Sequence, residues 1–233
     1  MSKYEFDIWV GGSCISLVDR TLSAEQRDVV FGIQRVAEIF ANARAGRFSD
    51  DNFWEKNYIK KQHELGWLLL EADNKSNQRT CVKSFQSWRY LSEFFIPHIP
   101  DELRVEAMKQ LEAFFTLPTT HPLLKGFLKQ AVVRRTGSSD FDSLAVEFRV
   151  ITRSMCLYSA RLYMHTAEHV QNDWHTQLFA PSGLKSECLA FGADSLHQQV
   201  VDEVKSDLIG WMKKSQANHF KKIDYAEFSH RPG

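Results

Sequence analysis

The spacing of hydrophobic positions changes once along this chain. Tyr4, Phe6, Ile8 and Val10 alternate with Glu5, Asp7 and Trp9. A period of two implies a strand with one buried face. Gly11-Gly12 permits a tight turn, because glycine takes positive φ without a steric penalty. Cys14 to Val18 can then return as a second strand. Residues 1–20 are therefore expected to form a short β-hairpin or β-arm.

From Ser23 onward the spacing is three and four. Ser23 followed by Gln26 fits a capping box, ahead of Val29, Val30, Ile33, Val36, Ala37 and Phe40. Ser49-Asp50-Asp51 places negative charge at the start of a second helix carrying Phe53, Trp54, Tyr58 and Ile59. That helix is expected to reach Leu70, with Gly66 as its weak point. Val82 to Phe95 gives a third apolar face, and Leu103 to Phe115 a fourth. Pro122 suits the first turn of a fifth that carries Leu123 to Val132. Phe141, Leu144, Phe148, Ile151, Met155, Tyr158 and Leu162 give the longest three-four series and predict a sixth helix. Val146, Phe148 and Val150 also alternate with Glu147 and Arg149, a competing strand pattern, but the alternation is shorter. A last helix is expected from about Asp194. The fold class read from this pattern is mainly α. It is a single domain over residues 1–233, a helical bundle or irregular array of about seven helices behind the β element, with 21–233 as the helical body.

Composition changes this picture little. The chain has 233 residues and a Phe-rich apolar complement, with 17 Phe beside 6 Trp and 6 Tyr. Lys plus Arg and Asp plus Glu are both 29. A neutral balance argues against a nucleic-acid partner, which calls for a basic excess. Neutrality also argues against peripheral membrane contact through the aromatic helix ends Phe94-Phe95-Ile96 and Phe114-Phe115. No apolar run approaches the ~20 residues of a transmembrane helix. Met1 to Val10 lacks a basic segment followed by an apolar one, so no secretion leader is expected. Cys14, Cys81, Cys156 and Cys188 are widely spaced, as free thiols of a cytoplasmic protein would be.

Candidate chemistry concentrates in His165-Thr166-Ala167-Glu168-His169. On a helix, His165 and His169 would share a face and could bind one zinc, iron or manganese ion, with Glu168 as the catalytic acid-base group. No cofactor is assured by the sequence. Gly11-Gly12-Ser13-Cys14 has the look of a nucleophile turn, without a visible histidine partner. Glu147, Arg149 and Arg153 read as a solvated helix face. Two functions follow. One is a helical binding or accessory module acting through contacts with another protein. The alternative is a metal-dependent helical-bundle enzyme, a hydrolase or oxygenase, built on the H-x-x-E-H helix.

Overall fold

The computed structural model describes residues 4–48, 51–76, 83–135, 140–214 and 220–223. In chain order the strands are β1 (Phe6–Gly11), β2 (Cys14–Asp19), β3 (Trp67–Ser76), β4 (Val132–Val133), β5 (Asp142–Ile151), β6 (Cys156–Thr166), β7 (Leu184–Leu196) and β8 (Lys221–Lys222). The helices are α1 (Ala24–Asn42), α2 (Asp51–Glu64), α3 (Ser87–Phe95), α4 (Asp101–Phe115), α5 (Pro122–Gln130) and α6 (Gln198–Lys214). The strands form one sheet in the order β3-β7-β6-β5-β2-β1-β8, and β4 pairs with β5 outside that path. The β2–β5 pair is parallel; all the others are antiparallel.

This is a mixed α/β fold, and it overturns the helical-bundle expectation. The error lies between Phe141 and Leu162. Those residues form β5 and β6, which pair from Asp142↔Thr166 to Ile151↔Leu157. Every residue of β5 is buried. A strand covered on both faces has no solvent-facing position to betray its period, so apolar residues on both sides of it fall at three-four steps by coincidence. The shorter alternation of Val146, Phe148 and Val150 was the true signal. Gly66 likewise ends α2 instead of bending it. It has φ +110, a left-handed conformation open to glycine, and Trp67–Leu70 continues as strand. Asp194 to Leu196 finish β7, and α6 begins only at Gln198. Val82 and Cys81 lie outside the described residues.

Local chemistry explains the other elements. β1 and β2 pair across Gly12, which has φ 62. Ser23 caps α1 with both halves of a capping box: its hydroxyl takes the Gln26 N–H, and Gln26 returns to the Ser23 N–H.

Helices cover both faces of the sheet. On one face, α3, α4 and α5 bury Leu91, Phe95, Leu111, Phe114, Phe115 and Phe127 against Phe6, Ile8, Ile15, Leu17, Val146, Phe148, Leu162 and Phe191. Phe115 lies at the centre, with ring contacts to Trp88, Phe114, Phe127 and Phe148. Phe94, Phe95, Phe114 and Phe115 are all buried core residues, not exposed helix-end aromatics. On the other face, α1 and α6 pack around Val18, Val30, Ile33, Trp67, Ile151 and Val201, and Trp54 and Tyr58 of α2 join Ala37 and Ala41 of α1.

Candidate functional site

Alternation along the strands gives the sheet two unlike faces. Leu144, Val146, Phe148 and Val150 of β5, Ala160, Leu162 and Met164 of β6, and Leu189, Phe191 and Ala193 of β7 all belong to the apolar core under α3–α5. Some of the residues between them carry polar groups toward α1 and α2, beside the apolar Ala145, Ile151, Leu157 and Ala190. Ser143, Glu147, Arg149, Ser159 and Asp194 are each buried there.

Glu147 is the hub of this polar layer. Its carboxylate accepts from Arg149 Nε at 2.9 Å and from Arg161 Nε at 3.3 Å. A second oxygen lies 2.8 Å from Arg149 Nη2 and 3.9 Å from Arg47 Nη2. Burial alone would raise the Glu147 carboxyl. The guanidiniums of Arg149, Arg161 and Arg47 outweigh burial and hold it below the ordinary glutamate value. Arg149 also donates to the Tyr58 hydroxyl at 2.5 Å.

Helix α2 is clasped onto this layer. Beside the Tyr58 contact, Glu55 accepts from Arg161 Nη1 at 2.6 Å, and His63 Nε2 lies 3.2 Å from Asp194 Oδ1 on β7. Burial raises the Asp194 carboxyl, and its contact with His63 only partly offsets that. Trp54 stacks on Tyr58 with centroids 5.0 Å apart, and the Arg47 guanidinium sits 4.9 Å from the Trp54 ring. Two cavities between α2 and the sheet, about 30 and 20 Å³, have room for a water or two. Glu147, Arg149 and Arg153, read from sequence as a solvated helix face, are strand and turn residues. The first two are buried, and Arg153 pairs with Asp19 at 3.1 Å.

The sequence-predicted residues occupy other places. His165 is on β6, not on a helix; its Nδ1 lies 2.7 Å from Ser143 Oγ, and its ring meets Phe141 and Tyr163. Glu168 follows the strand and accepts the Ala180 N–H at 2.8 Å. His169 is largely exposed, with Nδ1 3.2 Å from Asp142 Oδ2. Asp142 itself is fully buried and accepts the N–H groups of Arg135 and Val170 at 2.9 and 2.8 Å. These donors, with His169 and the Arg135 guanidinium, outweigh burial and lower its carboxyl. Among the described residues no group of three or more His, Cys, Asp or Glu converges as a metal site would require. Cys14 is buried beside the Glu147 layer, and burial pushes its thiol up to about 12. It stays protonated at neutral pH, unlike an activated nucleophile.

Sequence reasoning missed the polar layer. Its visible trace was the alternation of Glu147 and Arg149 with Val146, Phe148 and Val150.

No protein-family model matches the chain, and no curated protein matches it. Among solved structures it is similar to the activated Cyt2Ba monomer of Bacillus thuringiensis subsp. israelensis, at 10% identity and TM-score 0.45, covering 80% of this chain and 98% of that one. It is similar to a delta-endotoxin at 9% identity and TM-score 0.46, over 81% and 85% of the two chains. The Evf virulence factor aligns at 8% identity and TM-score 0.39, over 91% and 84%.

Proposed function

We propose that this chain acts on membranes, by releasing its central sheet from the helical covers and inserting it into a lipid bilayer. The observation that carries this reading is the two-faced character of β5, β6 and β7. They are 10, 11 and 13 residues long and neighbours in one antiparallel run. A strand crossing the hydrocarbon core needs ~9–11 residues. Membrane barrels alternate apolar positions toward lipid with polar positions toward water; Leu144 to Val150, Ala160 to Met164 and Leu189 to Ala193 follow that alternation on the α3–α5 side, with Glu187, bonded to Tyr90, as the polar exception there. Under α2 the polar face pays a desolvation cost that burial of charge always carries. Facing a water-filled lumen, the same residues would be solvated. Three strands cannot close a barrel, since ~8 is the smallest natural number, so several copies would act together. Among the described residues no helix is long and apolar enough to cross a membrane, so this reading rests on strands.

Release of a self-quenched dye from sealed phospholipid vesicles tests it. The wild-type chain is expected to empty them. Glu55→Gln, which removes the charge from the α2 tie to Arg161 and leaves only a neutral acceptor, is expected to release dye about fivefold faster, the equivalent of ~1 kcal/mol. A folded protein that leaves the vesicles intact at every concentration would remove the proposal.

A second reading, action through contact with another protein, is favoured by the sheet edge. Strand β3 pairs only with β7 among the described residues, and it leaves Leu68, Leu69 and Leu70 about half exposed. Such an edge can accept a partner's strand. A cytoplasmic setting, where Cys14, Cys156 and Cys188 stay as free thiols, goes with this second reading.

A further inference from the structure

A cleft of about 530 Å³ runs beside α5, well apart from the polar layer under α2. Its lining is cationic. Lys125, Lys129 and Arg134 face it, against Asp173 as the acid in the lining, and Thr119 and Thr120 contribute hydroxyls at one end. Lys125 and Lys129 are four apart on α5, hence on the same helix face, and both are exposed. Neither makes an ion pair among the described residues.

The walls are fixed by buried contacts. Trp174, fully buried, donates its indole N–H to the Leu128 carbonyl at 3.0 Å and packs on Phe127. Arg134 is oriented by the Val170 carbonyl at 3.3 Å and by Asn172 Oδ1 at 2.6 Å. A nine-residue helix whose N-cap, His121, makes no side-chain cap bond adds positive potential at the Thr119–Thr120 end. Unpaired lysines, a positioned guanidinium and hydroxyl donors suit one ligand chemistry, a tetrahedral oxyanion of high charge.

We propose that this cleft binds a phosphate group, carried by a lipid headgroup or by a small phosphorylated molecule. The site does not depend on sheet insertion: a chain that never permeabilised a vesicle would keep it. In the lipid case it would set the α3–α5 layer against the headgroups.

Calorimetric titration with inorganic phosphate and with glycerol 3-phosphate is the first arm. Sedimentation with phosphatidylcholine vesicles, with and without phosphatidic acid, is the second. The Lys125→Ala/Lys129→Ala pair changes two exposed side chains, so the variant keeps its fold, which its melting temperature checks. Saturable phosphate binding, weakened at least about tenfold in this variant, is the expected result. Retention by phosphatidic acid vesicles, lost in the variant, identifies the lipid source. Binding in the first arm alone identifies a free phosphorylated ligand. Absence of phosphate binding, or equal affinity in the variant, overturns the proposal, whatever the dye-release assay gives.

Discussion

Glu147→Gln is expected to lower the stability of the chain by about 3–5 kcal/mol, the cost of leaving a buried charge without its partner. At this chain length each kcal/mol moves the melting temperature by roughly 2–4 °C, so a fall of roughly 6–20 °C is expected. The size follows from position. Arg149 is 4% exposed and also donates to the neutral Tyr58 hydroxyl, so a glutamine at 147 leaves its guanidinium without a carboxylate. Arg161 keeps Glu55 and suffers less. The pH dependence has a definite sign. The Glu147 pKa is lowered in the folded state. Its contribution is therefore fully present above the unfolded glutamate pKa of ~4.3 and is lost as pH falls through the lower folded value. Wild-type stability should drop below about pH 4 more steeply than that of Glu147→Gln. Urea midpoints across that range check both statements. A loss under ~1 kcal/mol would mean that the polar layer is hydrated, not buried.

Asp142→Ala is the second large effect, expected to cost roughly 2–6 kcal/mol in the same unfolding experiment. The carboxylate is fully buried and takes two backbone N–H groups, from Arg135 and Val170. Alanine strands both donors, each at roughly 1–3 kcal/mol. Asp142→Asn should restore part of the loss, because its amide oxygen can still accept. His169→Ala removes only an exposed partner and is expected to cost no more than about 1 kcal/mol. Equal losses for Asp142→Ala and His169→Ala would contradict this ranking.

The readable parts of the sequence were those whose polar positions have partners close by. Phe6 to Val10 alternates because Phe6, Ile8 and Val10 enter the core under α3–α5, while Asp7 on the other side is paired with Arg20, 13 positions away. α1 announced itself through Ser23 and Gln26, whose capping bonds are local. β5 did not, because its polar residues are buried by contacts from distant sequence. Tyr58 reaches Arg149 across 91 positions, and Glu55 reaches Arg161 across 106. No local window contains those partners, so Glu147 and Arg149 read as solvated. His165 and His169 misled for the same reason. Their four-residue spacing has meaning on a helix, whereas His165 lies on a strand and His169 follows its end.

The central claim is that one face of the sheet meets lipid and the other meets water, and the reactivity of adjacent cysteines on β5 measures this directly. Ala145→Cys and Val146→Cys are made separately in a chain whose four native cysteines are replaced by alanine. Both positions are buried in the closed protein, so neither should react with a water-soluble maleimide in free solution. On vesicles, the cysteine at 145, on the polar face, should react, and the one at 146 should stay protected by lipid. Two unreactive positions would mean that the sheet never leaves its helices. Two reactive positions would mean that the chain merely unfolds on the membrane, and either result would contradict insertion.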